Sequence, residues 1–141
     1  MTALRGALEA VDRIVNRGGD ADDVLREAVA LLFERLEDVD FVGILFVQGD
    51  ELVLGPFAGL RPERGTRLPL GAGAPPDPAG RFGWVRSQIS VPITFADALV
   101  ARLDAESPQP EAFNGETETF LERVALLLSP YCLVGWDTDA R

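Results

Sequence analysis

The sequence has no histidine, no lysine and a single cysteine, and each scarcity excludes a class of chemistry. Without histidine there is no imidazole base, no histidine-activated serine or cysteine, and no zinc site of the usual cysteine and histidine type. Because all 13 basic residues are arginine, the chain has no lysine for a Schiff base or for a phosphate-binding P-loop. We therefore expect no metal site and no bound cofactor.

Positive charge and long apolar runs are also scarce. The chain carries 13 basic and 23 acidic residues, a formal net charge of −10. Phosphate backbones and anionic lipid surfaces call for clustered positive charge, so we expect no nucleic-acid partner and no membrane partner. No apolar run reaches the roughly 18 residues of a transmembrane helix. The N-terminal residues form an acid-bearing amphipathic pattern, unlike a secretory signal, which favours a cytoplasmic location.

The lone cysteine, Cys132, cannot form a disulfide within the chain, which fits a reducing compartment. It is followed by Leu133 and Val134, and an apolar setting of this kind predicts a buried, inert thiol. A catalytic Cys132 remains the alternative.

One stretch, from Asp40 to Phe57, organises the rest of the chain. Its apolar run from Phe41 to Val47 predicts a strand buried on both faces, closed by a turn at residues 48–51. A second strand follows from Leu52 until Gly55-Pro56 stops the pattern, so this hairpin is predicted to be the centre of a sheet. With 141 residues and 47% hydrophobic content, we expect residues 1–141 to form a single domain.

Helical periodicity appears at both ends of the chain. It predicts a first helix over residues 3–16, a second helix capped by Asp20 and running to Leu36, and a third helix capped by Asn114. Pro130 is predicted to end or kink the third helix. The apolar face of the second helix is unusually broad, and either a second subunit or the first helix can cover it. Residues 131–141 are expected to dock on the body or on a partner.

Two further strands are predicted before the third helix. Residues 88–93 contain Pro92, which indicates a bulge or an edge position. After a turn at residues 95–97, the segment from Leu99 to Glu106 has the clearest period of two in the chain. Its polar members emerge together on one face of the sheet, which then meets solvent or lines a cleft; they are Arg102, Asp104 and Glu106.

Several short motifs in order resemble a small bacterial GAF domain, and most nearly the free methionine-(R)-sulfoxide reductases. They are FVGILF, GDELVLGPFAG, RLPLG at residues 67–71, SQISVP at 87–92 and LDAESP at 103–108. The resemblance runs from Leu4 to Leu128. It implies an α+β fold with a central antiparallel sheet, and two N-terminal helices and one C-terminal helix mainly on one face. It also implies a homodimer formed through the helices.

The resemblance implies three cysteines that this chain lacks. In the family a low-pKa thiolate attacks the sulfoxide sulfur and a second thiol resolves the product as a disulfide. The matching positions here are Gly65, Pro75 and about Arg81. The family also has a long segment that closes over the ligand, whereas only Ala72 to Arg86 joins the corresponding motifs here.

The ligand-binding acids of the family are partly retained. Its glutamate matches Gln88, and its two aspartates match Asp104 and Glu106, which in the family hold an ammonium group. Arg102 beside them can meet a carboxylate, or can pair with Asp104 or Glu106 on a solvated strand face. The aromatic residues of the family pocket become Phe41 and Leu45, which leaves a more apolar wall.

These residues predict a non-catalytic GAF-like module that senses a small molecule, amino-acid-like or other, or that self-associates through its helices. The alternative is a thiol-dependent sulfoxide reductase, or another redox enzyme, that uses Cys132.

Overall fold

The computed structural model describes residues 2–59, 67–69 and 87–133. Their elements in chain order are α1 (Thr2–Arg17), α2 (Ala21–Arg35), β1 (Phe41–Gln48), β2 (Glu51–Gly59), β3 (Arg67–Pro69), β4 (Ser87–Phe95), β5 (Ala98–Ser107) and α3 (Gly115–Cys132). Within these described residues, none of the three helices combines the length and the apolar character that crossing a bilayer requires.

The predicted helix caps are confirmed. The Asp20 carboxylate accepts hydrogen bonds from the backbone N–H groups of Asp22 and Asp23 at 3.1 and 3.4 Å, which satisfies donors that the first turn of α2 leaves open. Asn114 does the same for α3 through Thr117 N at 2.9 Å. Of the two alternatives predicted for Pro130, that it ends α3 is wrong, since the helix continues to Cys132, and that it kinks the helix stays a prediction.

The strands form one antiparallel sheet in the order β3-β2-β1-β5-β4, so the predicted hairpin of β1 and β2 holds the centre. Six consecutive residues of β1, from Phe41 to Phe46, are buried, which confirms a strand covered on both faces. Alternate β1 residues on one face, Val42, Ile44 and Phe46, join a core made with all three helices. The helices therefore cover this face, as the predicted α+β architecture requires.

The second strand does not stop at Gly55-Pro56. β2 runs on to Gly59, and the pairing with β1 shifts register between Gly43 and Leu45. Gly55 and Pro56 together oppose the single residue Ile44, so β2 has one extra residue and bulges there. A bulge is one of the few places where a strand accommodates proline. Gly55 is needed because a Cβ atom built on it would lie 2.2 Å from the ring of Phe46.

The turn between β4 and β5 is confirmed at Ala96 and Asp97, which have φ angles of 52° and 67°. Two central residues with positive φ match the twist of a two-residue hairpin. Among the described strands, β4 lies at an edge of the sheet, and Pro92 is exposed there, as predicted.

The broad apolar face of α2 is used within the chain. Val29 is 1% exposed, and the partly buried Phe33 packs against the same core. Contact with α1 and the sheet therefore accounts for the breadth that the sequence left open. At the other end of this layer, the Tyr131 hydroxyl donates to the carbonyl oxygen of Val15 at 2.9 Å and ties α3 to α1.

We expect Gly59→Ala to destabilise the chain more than Gly19→Ala. Both glycines have positive φ, 113° and 123°, so alanine strains each by roughly 1–3 kcal/mol. At Gly59 the added Cβ would also lie 2.1 Å from the carbonyl oxygen of Asp40, whereas nothing lies within 4 Å at Gly19. Urea unfolding of both variants measures the difference. Equal losses would mean that the approach of β2 to Asp40 is looser than described.

Candidate functional site

The polar residues predicted on β5 lie on the face of the sheet opposite the helices. In the pairing of β1 with β5, Arg102 faces Leu45, Asp104 faces Gly43 and Glu106 faces Phe41. On the other side of β5, Glu106 faces Gln88 and Asp104 faces Ser90. All six residues predicted for ligand binding are thus brought together on three adjacent strands. With Ser90 they form what we call the candidate site: Phe41, Leu45, Gln88, Ser90, Arg102, Asp104 and Glu106.

The apolar part of this face is a second, smaller core. Phe41, Leu45, Leu52 and Leu54 are all at most 5% exposed and form one cluster, and every member comes from β1 or β2. A Cβ atom on Gly43 would lie 2.6 Å from the end of the Phe41 ring, so the ring covers the backbone of Gly43. Phe41 therefore borders Asp104, the residue that faces Gly43 across the strands.

The charged residues of the site are buried. Arg102, Asp104 and Glu106 are 9%, 1% and 4% exposed. The expectation of a solvated strand face is wrong, although the expected pairing of Arg102 is confirmed. Its Nε donates to Asp104 Oδ1 at 2.9 Å and its Nη2 donates to Oδ2 at 3.1 Å. This two-pronged contact matches the planar guanidinium to the planar carboxylate. It forms because residues i and i+2 of a strand share a face.

Burial raises the pKa of the Asp104 carboxyl above its usual value, because leaving water disfavours the charged form. The charge and hydrogen bonds of Arg102 oppose that rise. Ser90 also favours the charged form, although its hydroxyl makes no hydrogen bond of ordinary geometry to the described residues. A raised pKa means that the folded chain binds this proton more tightly than the unfolded chain. Asp104 alone therefore lowers the free energy of unfolding as the pH rises above about 4.

The amide oxygen of Gln88 is buried and accepts no hydrogen bond from the described residues. A buried acceptor without a donor costs about 1–3 kcal/mol, so structures seldom keep one without a use for it. Ser90 was missed by the sequence reasoning. The available signal was its spacing, since it lies two residues after Gln88 and so points to the same face.

Cys132 lies on the opposite side of the sheet. It is 5% exposed within the core that the helices form, and burial raises the pKa of its thiol to about 12. The prediction of a buried thiol is confirmed. The three positions matched to family cysteines, Gly65, Pro75 and Arg81, lie outside the described residues, as do the segment from Ala72 to Arg86 and the tail from residue 134.

Comparison with known proteins finds similarity to free methionine-R-sulfoxide reductases and to GAF domains. No family model matches the sequence. The free methionine-R-sulfoxide reductase of Escherichia coli K12 is 28% identical over 122 residues, covering 74% of this chain and 73% of that protein.

Solved structures of a free methionine-R-sulfoxide reductase and of a GAF domain superpose on this chain. A free methionine-R-sulfoxide reductase from Neisseria meningitidis, solved in complex with its substrate, superposes with a TM-score of 0.81 at 26% identity, covering 98% of this chain and 94% of that one. The GAF domain of a phosphoenolpyruvate-protein phosphotransferase from Coxiella burnetii superposes with a TM-score of 0.82 at 20% identity, covering 99% and 98%.

We expect the buried pair Arg102–Asp104 to be strongly coupled in a double-mutant cycle. Arg102→Met leaves the buried carboxylate of Asp104 without its cation and should lower the free energy of unfolding by about 3–5 kcal/mol. Asp104→Asn removes the carboxylate that the guanidinium contacts twice and should also lower it. The double variant should lose clearly less than the sum, because the second substitution removes a charge that has already lost its partner. Urea unfolding of the four proteins measures the coupling.

The control is the ion pair Arg67–Glu51, whose atoms are 2.8 Å apart while the side chains are 53% and 45% exposed. Arg67→Met and Glu51→Gln should show a coupling of only about 0.2–1 kcal/mol. If the two cycles gave the same coupling energy, the burial of Arg102 and Asp104 would have no energetic consequence and the description of the site would be wrong.

Proposed function

We propose that this chain, which has the GAF fold and is similar to the free methionine-R-sulfoxide reductases, is a non-catalytic module that binds a small molecule at the candidate site. The E. coli and Neisseria proteins are reductases; here the resemblance supports the location of the site, and the residues present decide what it does.

The observation that carries the proposal is the burial of a polar cluster on a sheet face. Arg102, Asp104 and Glu106 are buried on a strand whose neighbours supply an apolar wall of Phe41 and Leu45. Transferring charged groups out of water is costly, and apolar residues of similar volume usually stabilise a core as well or better. A few convergent polar groups set against an apolar wall are typical of small-molecule sites.

The thiol-dependent alternative fits the geometry poorly. Cys132 is separated from Asp104 by the sheet, since the two side chains lie on opposite faces. A thiol with a pKa near 12 holds little thiolate at neutral pH, and the thiolate is the nucleophile. The chain has no second cysteine to resolve a product as an intramolecular disulfide. A lone buried thiol also suits the reducing cytoplasm, where we propose that the module works.

We expect a thermal-shift panel of amino acids, 2-hydroxy acids, organic acids and cyclic nucleotides to contain a ligand of the candidate site. Binding at 100 times the dissociation constant should raise the melting temperature by roughly 5–10 °C. Glu106→Gln should reduce that shift because Glu106 lies in the site. Glu122→Gln, on the exposed surface of α3, is the matched control and should leave the shift unchanged.

A panel without any hit would count against the proposal, as would a shift that Glu106→Gln leaves intact. Turnover of free methionine-(R)-sulfoxide with dithiothreitol, lost in Cys132→Ser, would favour the thiol-dependent enzyme instead.

We propose in addition that two copies associate through α1 and α2, because these helices form a groove with charges of opposite sign along its rims. Its floor is apolar and contains Ala10 and Ile14. Arg13 and Arg17 of α1 line one side, and Glu27 and Glu34 of α2 line the other, with Arg35 at one end. Arg17 and Glu27 pair with each other within the chain. In a two-fold contact the same patch meets itself, so Arg13 of one copy can face Glu34 of the other.

For the dimer, the expected result is that Arg13→Glu and Glu34→Arg each weaken association, while an equimolar mixture of the two variants restores it. Each variant alone places like charges opposite one another, and the mixture pairs opposite charges again. Light scattering gives the mass in each case. A monomeric wild-type chain at high concentration, or a mixture no better associated than either variant, would contradict this interface.

A further inference from the structure

We propose that Arg102 is a built-in cation of the candidate site, engaged with Asp104 so that this carboxylate cannot take a ligand ammonium, and that the site therefore prefers a ligand hydroxyl to an ammonium and discriminates against free amino acids. This inference rests on the proposed function and narrows its ligand class.

The geometry of Asp104 carries the argument. Both carboxylate oxygens already accept from one guanidinium, at 2.9 and 3.1 Å. Any ammonium within hydrogen-bond distance of either oxygen would also lie close to that guanidinium. At comparable distances the repulsion by Arg102 cancels the attraction by Asp104, and the low dielectric of a buried site strengthens both terms equally. Asp104 therefore offers an incoming cation no net attraction.

The neighbouring strand supports the same conclusion. Glu106, the other buried carboxylate of the site, has an interaction partner of its own, and Gln88, which faces it across the strands, is an amide that brings no further negative charge to the site. Its buried Oε1 accepts no hydrogen bond from the described residues and can accept one from a hydroxyl or a neutral N–H. A neutral donor satisfies this oxygen without the cost of taking an ammonium out of water. The apolar wall of Phe41 and Leu45 then receives the remainder of the ligand.

The first test compares amino acids with 2-hydroxy acids of the same side chain, so that ammonium is exchanged for hydroxyl and nothing else changes. Suitable pairs are leucine with 2-hydroxyisocaproate, phenylalanine with phenyllactate, and methionine sulfoxide with its 2-hydroxy analogue. We expect the hydroxy acid of a binding pair to bind the wild-type chain at least about tenfold more tightly, as measured by calorimetry, because no unbalanced buried charge is created.

The second test asks whether a small cation added to the solution can take the place of the Arg102 guanidinium. Arg102→Ala should gain melting temperature from millimolar ethylguanidinium or ethylammonium chloride, which can occupy the site beside Asp104. The wild-type chain should gain nothing, since Arg102 is already there. Arg67→Ala, which removes an exposed arginine from another ion pair, is the control and should not respond.

Gln88→Glu provides a variant that leaves the Arg102–Asp104 pair intact. The new carboxylate has no added cation to balance it, so the preference should move from the hydroxy acid toward the amino acid. This arm remains decisive if Arg102→Ala does not fold.

The outcomes separate the inference from the proposed function. Tighter binding of amino acids than of hydroxy acids by the wild-type chain would overturn the inference and leave the proposed function standing. Rescue of Arg102→Ala without any hit among the ligand pairs would support the built-in cation and count against ligand binding. Equal responses of wild type and Arg102→Ala to the cations, or an unchanged preference in Gln88→Glu, would also overturn the inference.

Discussion

Everything on this sheet depends on β1 being covered on both faces. Its side chains alternate between two cores, with Val42, Ile44 and Phe46 on the helix side and Phe41 and Leu45 on the other. A slip of one residue against either neighbour would send each set to the wrong face, so the two cores together specify the register. That register places Gly43 opposite Asp104, where the absence of a side chain leaves room for the Phe41 ring.

The charged pair of the candidate site comes from residues close together in the sequence, whereas the sheet that carries it pairs strands far apart in the sequence. Arg102 and Asp104 are two residues apart on one strand, so the pair needs no long-range closure beyond the pairing of β5 itself. The fold buries this pair. Burial raises the pKa of Asp104, so the ionised form of its carboxyl depends on Arg102. The same sheet isolates the only thiol on its far side, so acid and thiol chemistry do not meet.

Much of the fold could be predicted from the sequence because its signals are local. Period-two alternation placed Arg102, Asp104 and Glu106 on one face, and capping residues located the starts of α2 and α3. The continuation of β2 beyond Gly55-Pro56 could not be predicted, because a bulge is defined by its pairing with β1.

The pairing and burial of the site residues were harder to predict than which residues belong to the site. Whether Arg102 meets Asp104 or Glu106, and whether the face is wet or buried, depends on packing from outside the strand. The spacing of Ser90 from Gln88 indicates its face of the sheet, but only the pairing of β4 with β5 shows that it faces Asp104.

Pro92 lies on β4, an edge strand among those that the structure describes, and this has a consequence for how the protein can meet other chains. A strand that lies beside β4 would need a ladder of backbone donors, and Pro92 interrupts that ladder at the middle of the strand. Pro92 therefore disfavours the addition of an extended peptide beside β4 and the stacking of copies through this strand into a fibre.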